Sequence, residues 1–170
     1  MHKLRDAPGE AEADLKAQLE SIVGKDKIYV LGLGNTDRAD DGAGVLVAEA
    51  LKKLFPNYSY SEHDGIEGTV LDISEKREDA TVFIIDASDV KMSPGAVLLV
   101  RKEDIRETEI TTHRVAVALM ASILEKAGKK TAVVCIQPAS ITFRGEISPN
   151  VRQTIDMVVR VFAGLIGARR

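Results

Sequence analysis

The stretch IYVLGL-GNTDRADDG-AGVLVAEALKKLF, residues 28–55, decides the fold. Residues 28–33 are a short apolar run of the kind buried on both faces of a sheet. Residues 34–42 are rich in Gly and Asp and read as a tight turn. From residue 43, Val45, Ala48, Leu51, Leu54 and Phe55 recur at helical spacing. Strand, turn and helix in that order are the opening of an α/β unit.

The pattern continues outward from this stretch. Residues 58–62 (YSYSE) alternate as a strand, and 68–76 fit a short helix. Residues 81–86 (TVFIID) are a second apolar run that stops on an acid. Ser93-Pro94-Gly95 forms a turn before a strand at 96–101. The polar stretch 102–112 reads as a loop, 114–127 as a buried helix, and 131–137 (TAVVCIQ) as a strand ended by Pro138. Ser148-Pro149 is a helix start, with Ser as N-cap, followed by the stripe Val151, Ile155, Val158, Phe162 and Leu165. The expected architecture is therefore a three-layer α/β sandwich. Its largely parallel, twisted sheet has about five strands, with helices on both faces. Residues 27–170 form this single domain. Residues 1–26 are a helical extension running from Pro8 to Gly24, with Leu15, Leu19 and Ile22 on one face.

Composition excludes several kinds of function. The 23 basic and 26 acidic residues leave a net charge of −3, which argues against nucleic acid and anionic membranes as partners. Trp is absent and aromatics are 4%, too few for stacking on bases. The lone Cys135 excludes an internal disulfide and a Cys-pair zinc site, and it reads as a packed core residue. No run is long and apolar enough to span a bilayer, and the start MHKLRDAPGEAEADLK lacks the apolar core of a secretory signal. The expected location is the cytoplasm.

Ligands of such sheets bind beyond the carboxyl ends of the strands. The residues following those ends are Gly34 to Gly42, then His63-Asp64-Gly65, Asp86, and Gln137-Pro138. Gly32-Leu33-Gly34-Asn35 suggests a dinucleotide fingerprint, but Asp37 stands where its third Gly belongs. Asp40 and Asp41 would also repel a pyrophosphate. Asp40 and Asp41 fit two readings, helix capping or a site; Gly42 and Gly44 weaken the first and suggest close approach to the backbone. Asp86 closes a buried strand and needs a partner there. His113 fits a loop histidine beside an N-capping Thr112, and His63 a similar place; His2 lies in a terminal segment.

The turn GLGNTDRADDGAG resembles the opening motif of the nickel–iron hydrogenase maturation endopeptidases. The resemblance continues in order through Asp64-Gly65, Ile84-Ile85-Asp86-Ala87, Thr111-Thr112-His113 and Ile136-Gln137-Pro138, and covers residues 28 to about 160. The last two motifs look closest to the branch serving formate-hydrogenlyase-type hydrogenases. The resemblance implies removal of the C-terminal extension of a hydrogenase large-subunit precursor after nickel insertion. It assigns Asp41, Asp86 and His113 as nickel ligands and catalytic residues, with the nickel supplied by the substrate. Substrate recognition then falls to Gly34, Asn35, Asp40, Asp64, Gly65 and Gln137. The family's second Gly after Asp64 is replaced by Ile66. Two carboxylates and an imidazole suit a divalent first-row metal and leave coordination positions open. A non-enzymatic nickel-binding chaperone would use the same ligands but hold metal stably. A nucleotide-binding module would be stabilised by nucleotide.

Overall fold

In the computed structural model, which describes residues 2–3, 8–101, 104 and 114–169, each expected strand and helix of the main domain forms. The strands are β1 (His2–Lys3), β2 (Lys27–Gly32), β3 (Ser59–Ser61), β4 (Ala80–Ala87), β5 (Val97–Arg101) and β6 (Lys130–Ile136). The helices are α1 (Pro8–Val23), α2 (Ala43–Leu54), α3 (Ile66–Glu75), α4 (Arg114–Lys126) and α5 (Pro149–Gly167). Short 3₁₀ turns occupy Ala39–Gly42 and Glu62–Asp64. His113, most of the polar stretch before it and Thr111-Thr112 lie outside the described residues.

Among the described residues the sheet has six strands in the order β1-β5-β6-β4-β2-β3. The run β6-β4-β2-β3 is parallel; β5 and the two-residue β1 are antiparallel additions at one side. The terminal segment holding His2 therefore pairs with Leu98 and Leu99, which nothing in its composition announces.

Strand residues alternate between two cores, and this is why the strands read as continuous apolar runs. Ile28, Val30, Phe83, Ile85, Val134 and Ile136 face α1, α2 and α5. Tyr29, Leu31, Val82, Ile84, Val133 and Cys135 face α3 and α4. Phe83 meets Phe162 of α5 edge-to-face, with centroids 5.2 Å apart. Helix α1 adds Leu15, Leu19 and Val23, all fully buried, to the first core, while Ile22 is half-buried.

The turn after β2 is pressed against the strands. A Cβ on Gly44 would stand 2.2 Å from the Ile85 carbonyl oxygen and 2.4 Å from that of Leu33. The close approach suggested by this glycine is thus made by the protein's own backbone. It seats the start of α2 on the ends of β2 and β4, and so fixes where Asp40 and Asp41 stand.

Candidate functional site

Strand register brings the parallel strands to one carboxyl edge: Gly32 lies beside Ile85 and Ser61, and Asp86 beside Cys135. Following the sheet order, that edge carries Gln137 after β6, Asp86 on β4, Asp40 and Asp41 after β2, and Asp64 after β3. Adjacent strands are about 4.8 Å apart, which sets the spacing of the strand ends along this edge.

Asp86 shares strand parity with Val82 and Ile84 and lies on the sheet face covered by α3 and α4. It is fully buried, and the Ser88 hydroxyl donates to its Oδ2 at 3.1 Å. Burial and the neighbouring Asp86 charge push the Cys135 thiol up to about 12. Cys135 is therefore a neutral core residue and no nucleophile.

Asp40 and Asp41 are neighbours with different duties. Both lie in the buried 3₁₀ turn Ala39–Gly42. Asp40 Oδ2 accepts from the Ala139 N–H at 2.8 Å, the Ser140 N–H at 3.0 Å and the Ser148 hydroxyl at 2.8 Å. Its Oδ1 accepts from the Ser148 N–H at 2.7 Å. Burial alone would raise this carboxyl; the Ser148, Ser140 and Ala139 donors outweigh it and hold the group below its ordinary value. Asp40 is thus an internal clasp rather than a substrate-facing acid, because its oxygens are already taken. Asp41 is 5% exposed and, among the described residues, no side-chain hydrogen bond or ion pair holds it. Its place in this turn leaves it without the donors that hold Asp40.

The remaining sequence-derived positions also divide. Gly34 is buried in the turn, and the exposed Asn35 folds it by accepting the Asp37 N–H at 2.8 Å. Asp64 accepts the Ser61 N–H at 2.9 Å and is ion-paired with Lys52 of α2. Lys52 and Ser61 together outweigh the effect of burial and lower the Asp64 carboxyl. Gly65 links the Glu62–Asp64 turn to α3 and is exposed. His63 meets Glu49 at 2.8 Å, away from the Asp86 strand end. Gln137 is 7% exposed; its Oε1 accepts from Val90 N–H at 2.8 Å and Met92 N–H at 3.2 Å. Its Nε2 donates to the Pro138 carbonyl at 3.1 Å. Through these bonds it braces the loop after β4.

Two contributors escaped sequence reading. Ser88 reaches Asp86 from only two residues away, and no pattern marks it. Ser148 stands at the predicted N-cap of α5, but its hydroxyl makes no cap bond and serves Asp40 instead.

Among the described residues no three His, Cys, Asp or Glu stand together as a metal cluster; Asp41 and Asp86 are two donors of the expected three, and His113 lies outside those residues. Nor is any described helix long and apolar enough to cross a membrane.

Comparison with known proteins agrees with the geometry. Residues 47–164 match the family model "HycI: Hydrogenase maturation protease". The chain is 27% identical over 141 residues to the hydrogenase 3 maturation protease of Escherichia coli K12, covering 81% of this chain and 90% of that one. The crystal structure of a [NiFe] hydrogenase maturation protease HycI from Thermococcus kodakarensis KOD1 superposes with a TM-score of 0.72 at 25% identity. It covers 88% of this chain and 99% of that one. The hydrogenase maturating endopeptidase HybD from E. coli superposes with a TM-score of 0.63 at 26% identity, over 84% and 93% of the two chains. Matched by the family model over more than half its length, and sharing the fold, the chain belongs to the hydrogenase maturation proteases.

Proposed function

We propose that this protein removes the C-terminal extension of a nickel–iron hydrogenase large-subunit precursor, and cuts only after nickel has been inserted. The observation that carries the reading is Asp41: a nearly buried carboxylate with no side-chain partner among the described residues, in the turn seated on β4, the strand that carries Asp86. Asp41 and Asp86, joined by His113, would supply two oxygen donors and one nitrogen donor to the nickel that the precursor carries. Such a set is weak beside a thiolate cage and leaves positions open. The chain alone would not retain the metal, and the coordination would be completed only in the complex.

In that complex the three side chains hold the precursor's C-terminal segment in register with the carboxyl edge. Nickel, when carried in by the precursor, would supply Lewis-acid or orienting chemistry to the cleavage. Hydrolysis adds water across the amide: the carbonyl carbon gains a hydroxyl, the C–N bond breaks, and the leaving nitrogen takes a proton. The Ser88 hydroxyl, bonded to Asp86 Oδ2 at 3.1 Å, would orient this ligand.

The test is to incubate the protein with nickel-loaded and nickel-free precursor and weigh the products. Shortening of the nickel-loaded precursor alone is expected. Asp41→Asn and Asp86→Asn should each slow it by at least about a hundredfold, the upper range for disturbing a metal site's supporting groups. Equal shortening without nickel would remove the metal from the reading. Family membership disfavours a non-enzymatic nickel chaperone, which would also retain nickel through purification.

A further inference from the structure

The loop between β6 and α5 is fastened to the catalytic edge and carries apolar side chains outward. One carboxylate, Asp40, closes its base, bonding Ala139 and Ser140 at one end and Ser148 at the other. The Asp40 N–H also donates to the Ser140 carbonyl at 3.0 Å. Midway along, the Arg144 N–H donates to the Asp37 carbonyl at 2.7 Å. A Cβ at Gly145 would sit 3.1 Å from that of Ala39, so the loop lies directly on the turn that bears Asp41. Ala39 and Arg144 both adopt the left-handed region, at φ 48° and 58°. Such backbone costs energy and persists where surrounding contacts dictate it.

From this pinned loop, Ile141 is 41% and Phe143 64% exposed. The Arg144 guanidinium lies 5.4 Å from the Phe143 ring centroid. Apolar side chains exposed on a pinned backbone add nothing to the core and offer a contact for binding.

We propose that Ile141 and Phe143 are the docking point for an apolar stretch of the large-subunit precursor next to the cleavage segment. Asp40 is the positioning residue that aims them. The occupant is argued from continuity: Asp40 and Asp41 are consecutive residues of one turn, so a chain gripped at Asp41 passes beside this loop. The inference rests on the endopeptidase reading above and names where that substrate is held.

The test compares Ile141→Ala/Phe143→Ala with the unaltered protein on nickel-loaded precursor, measuring kcat and KM separately. KM is expected to rise on the order of tenfold, as loss of an aromatic anchor does, with kcat within about twofold. Phe143→Leu should recover most of the loss. A second arm measures precursor affinity with Asp86→Asn alone and with Asp86→Asn carrying both alanines; the alanines should weaken it by the same order. The thermal midpoint should not move, since both side chains are exposed. Unchanged KM and affinity would overturn the proposal. So would a shift from dimer to monomer in light scattering, which would assign the surface to a second copy of this chain. If the unaltered protein binds precursor without shortening it, the endopeptidase reading fails while the affinity arm still decides the docking point. If it neither binds nor shortens precursor, both fail.

Discussion

Asp40 and Asp41 are adjacent, alike in chemistry and buried in one turn, yet their side chains have opposite circumstances. Replacing Asp40 by Ala strands the N–H groups of Ala139, Ser140 and Ser148. The expected loss of stability is on the order of 3 kcal/mol. Asp41→Ala removes no side-chain hydrogen bond seen among the described residues, and its stability should change by about 1 kcal/mol or less. Denaturant midpoints of the two variants check the contrast. Acid gives a second check on Asp40. Its folded carboxyl is held below the ordinary value of 3.8, so the unfolded chain takes up the proton first. The stabilisation is fully present above that value and lost as pH falls from there through the folded value. Unfolding midpoints followed downward from neutral pH should show this decline, shared with Asp64, and Asp40→Asn should flatten it. Sequence reading held both acids open between capping and chemistry. It could not separate them because the clasp partners lie about a hundred residues away, at Ala139, Ser140 and Ser148.

At the scale of elements, the edge is assembled from strand ends and then locked by side chains from the loops. Gln137 shows the locking: one amide ties the end of β6 to Val90 and Met92 in the loop after β4. Gln137→Ala should cost about 1–2 kcal/mol. Limited proteolysis should then find cuts within residues 88–95 that the unaltered protein resists. The strands and helices themselves were legible because buried runs such as residues 81–86 and stripes such as Val151-Ile155-Val158 are periodic. Their boundaries moved by only a residue or two: β4 spans Ala80–Ala87 and α3 starts at Ile66. Gln137 illustrates the limit of that legibility. Its place after a strand was visible, but its partners come from another loop, and only those partners distinguish a brace from a recognition group.

Across the whole molecule, one sheet separates two cores, and α1 completes the first of them. Residues 1–26 read as an extension to the domain, yet Leu15, Leu19 and Val23 are fully buried in the core shared with α2 and α5. Arg160 of α5 also meets Glu12 of α1 at 2.8 Å, though this exposed pair adds little. Leu19→Ala should cost about 2–5 kcal/mol, as other buried leucines do, visible as a lowered thermal midpoint. The fold's larger consequence is the row of carboxyl-edge groups, with Asp86 and Asp41 on neighbouring strand ends. Topology alone placed these acids together, since the edge follows from parallel strand order. That Asp40 is tied to Ala139, Ser140 and Ser148 required the side-chain contacts.

The central claim is that Asp41, Asp86 and His113 take hold of nickel borne by the precursor. It is tested most directly at the metal. X-ray absorption at the nickel edge should be recorded for the loaded precursor alone, and then in complex with the unaltered protein trapped in the cold. The account predicts added oxygen and nitrogen neighbours at about 2.0–2.2 Å, the usual range for carboxylate and imidazole ligands of a divalent first-row ion. These neighbours should be lost with Asp41→Ala/Asp86→Ala. A nickel spectrum unchanged by the protein, in a complex shown to have formed, would contradict it.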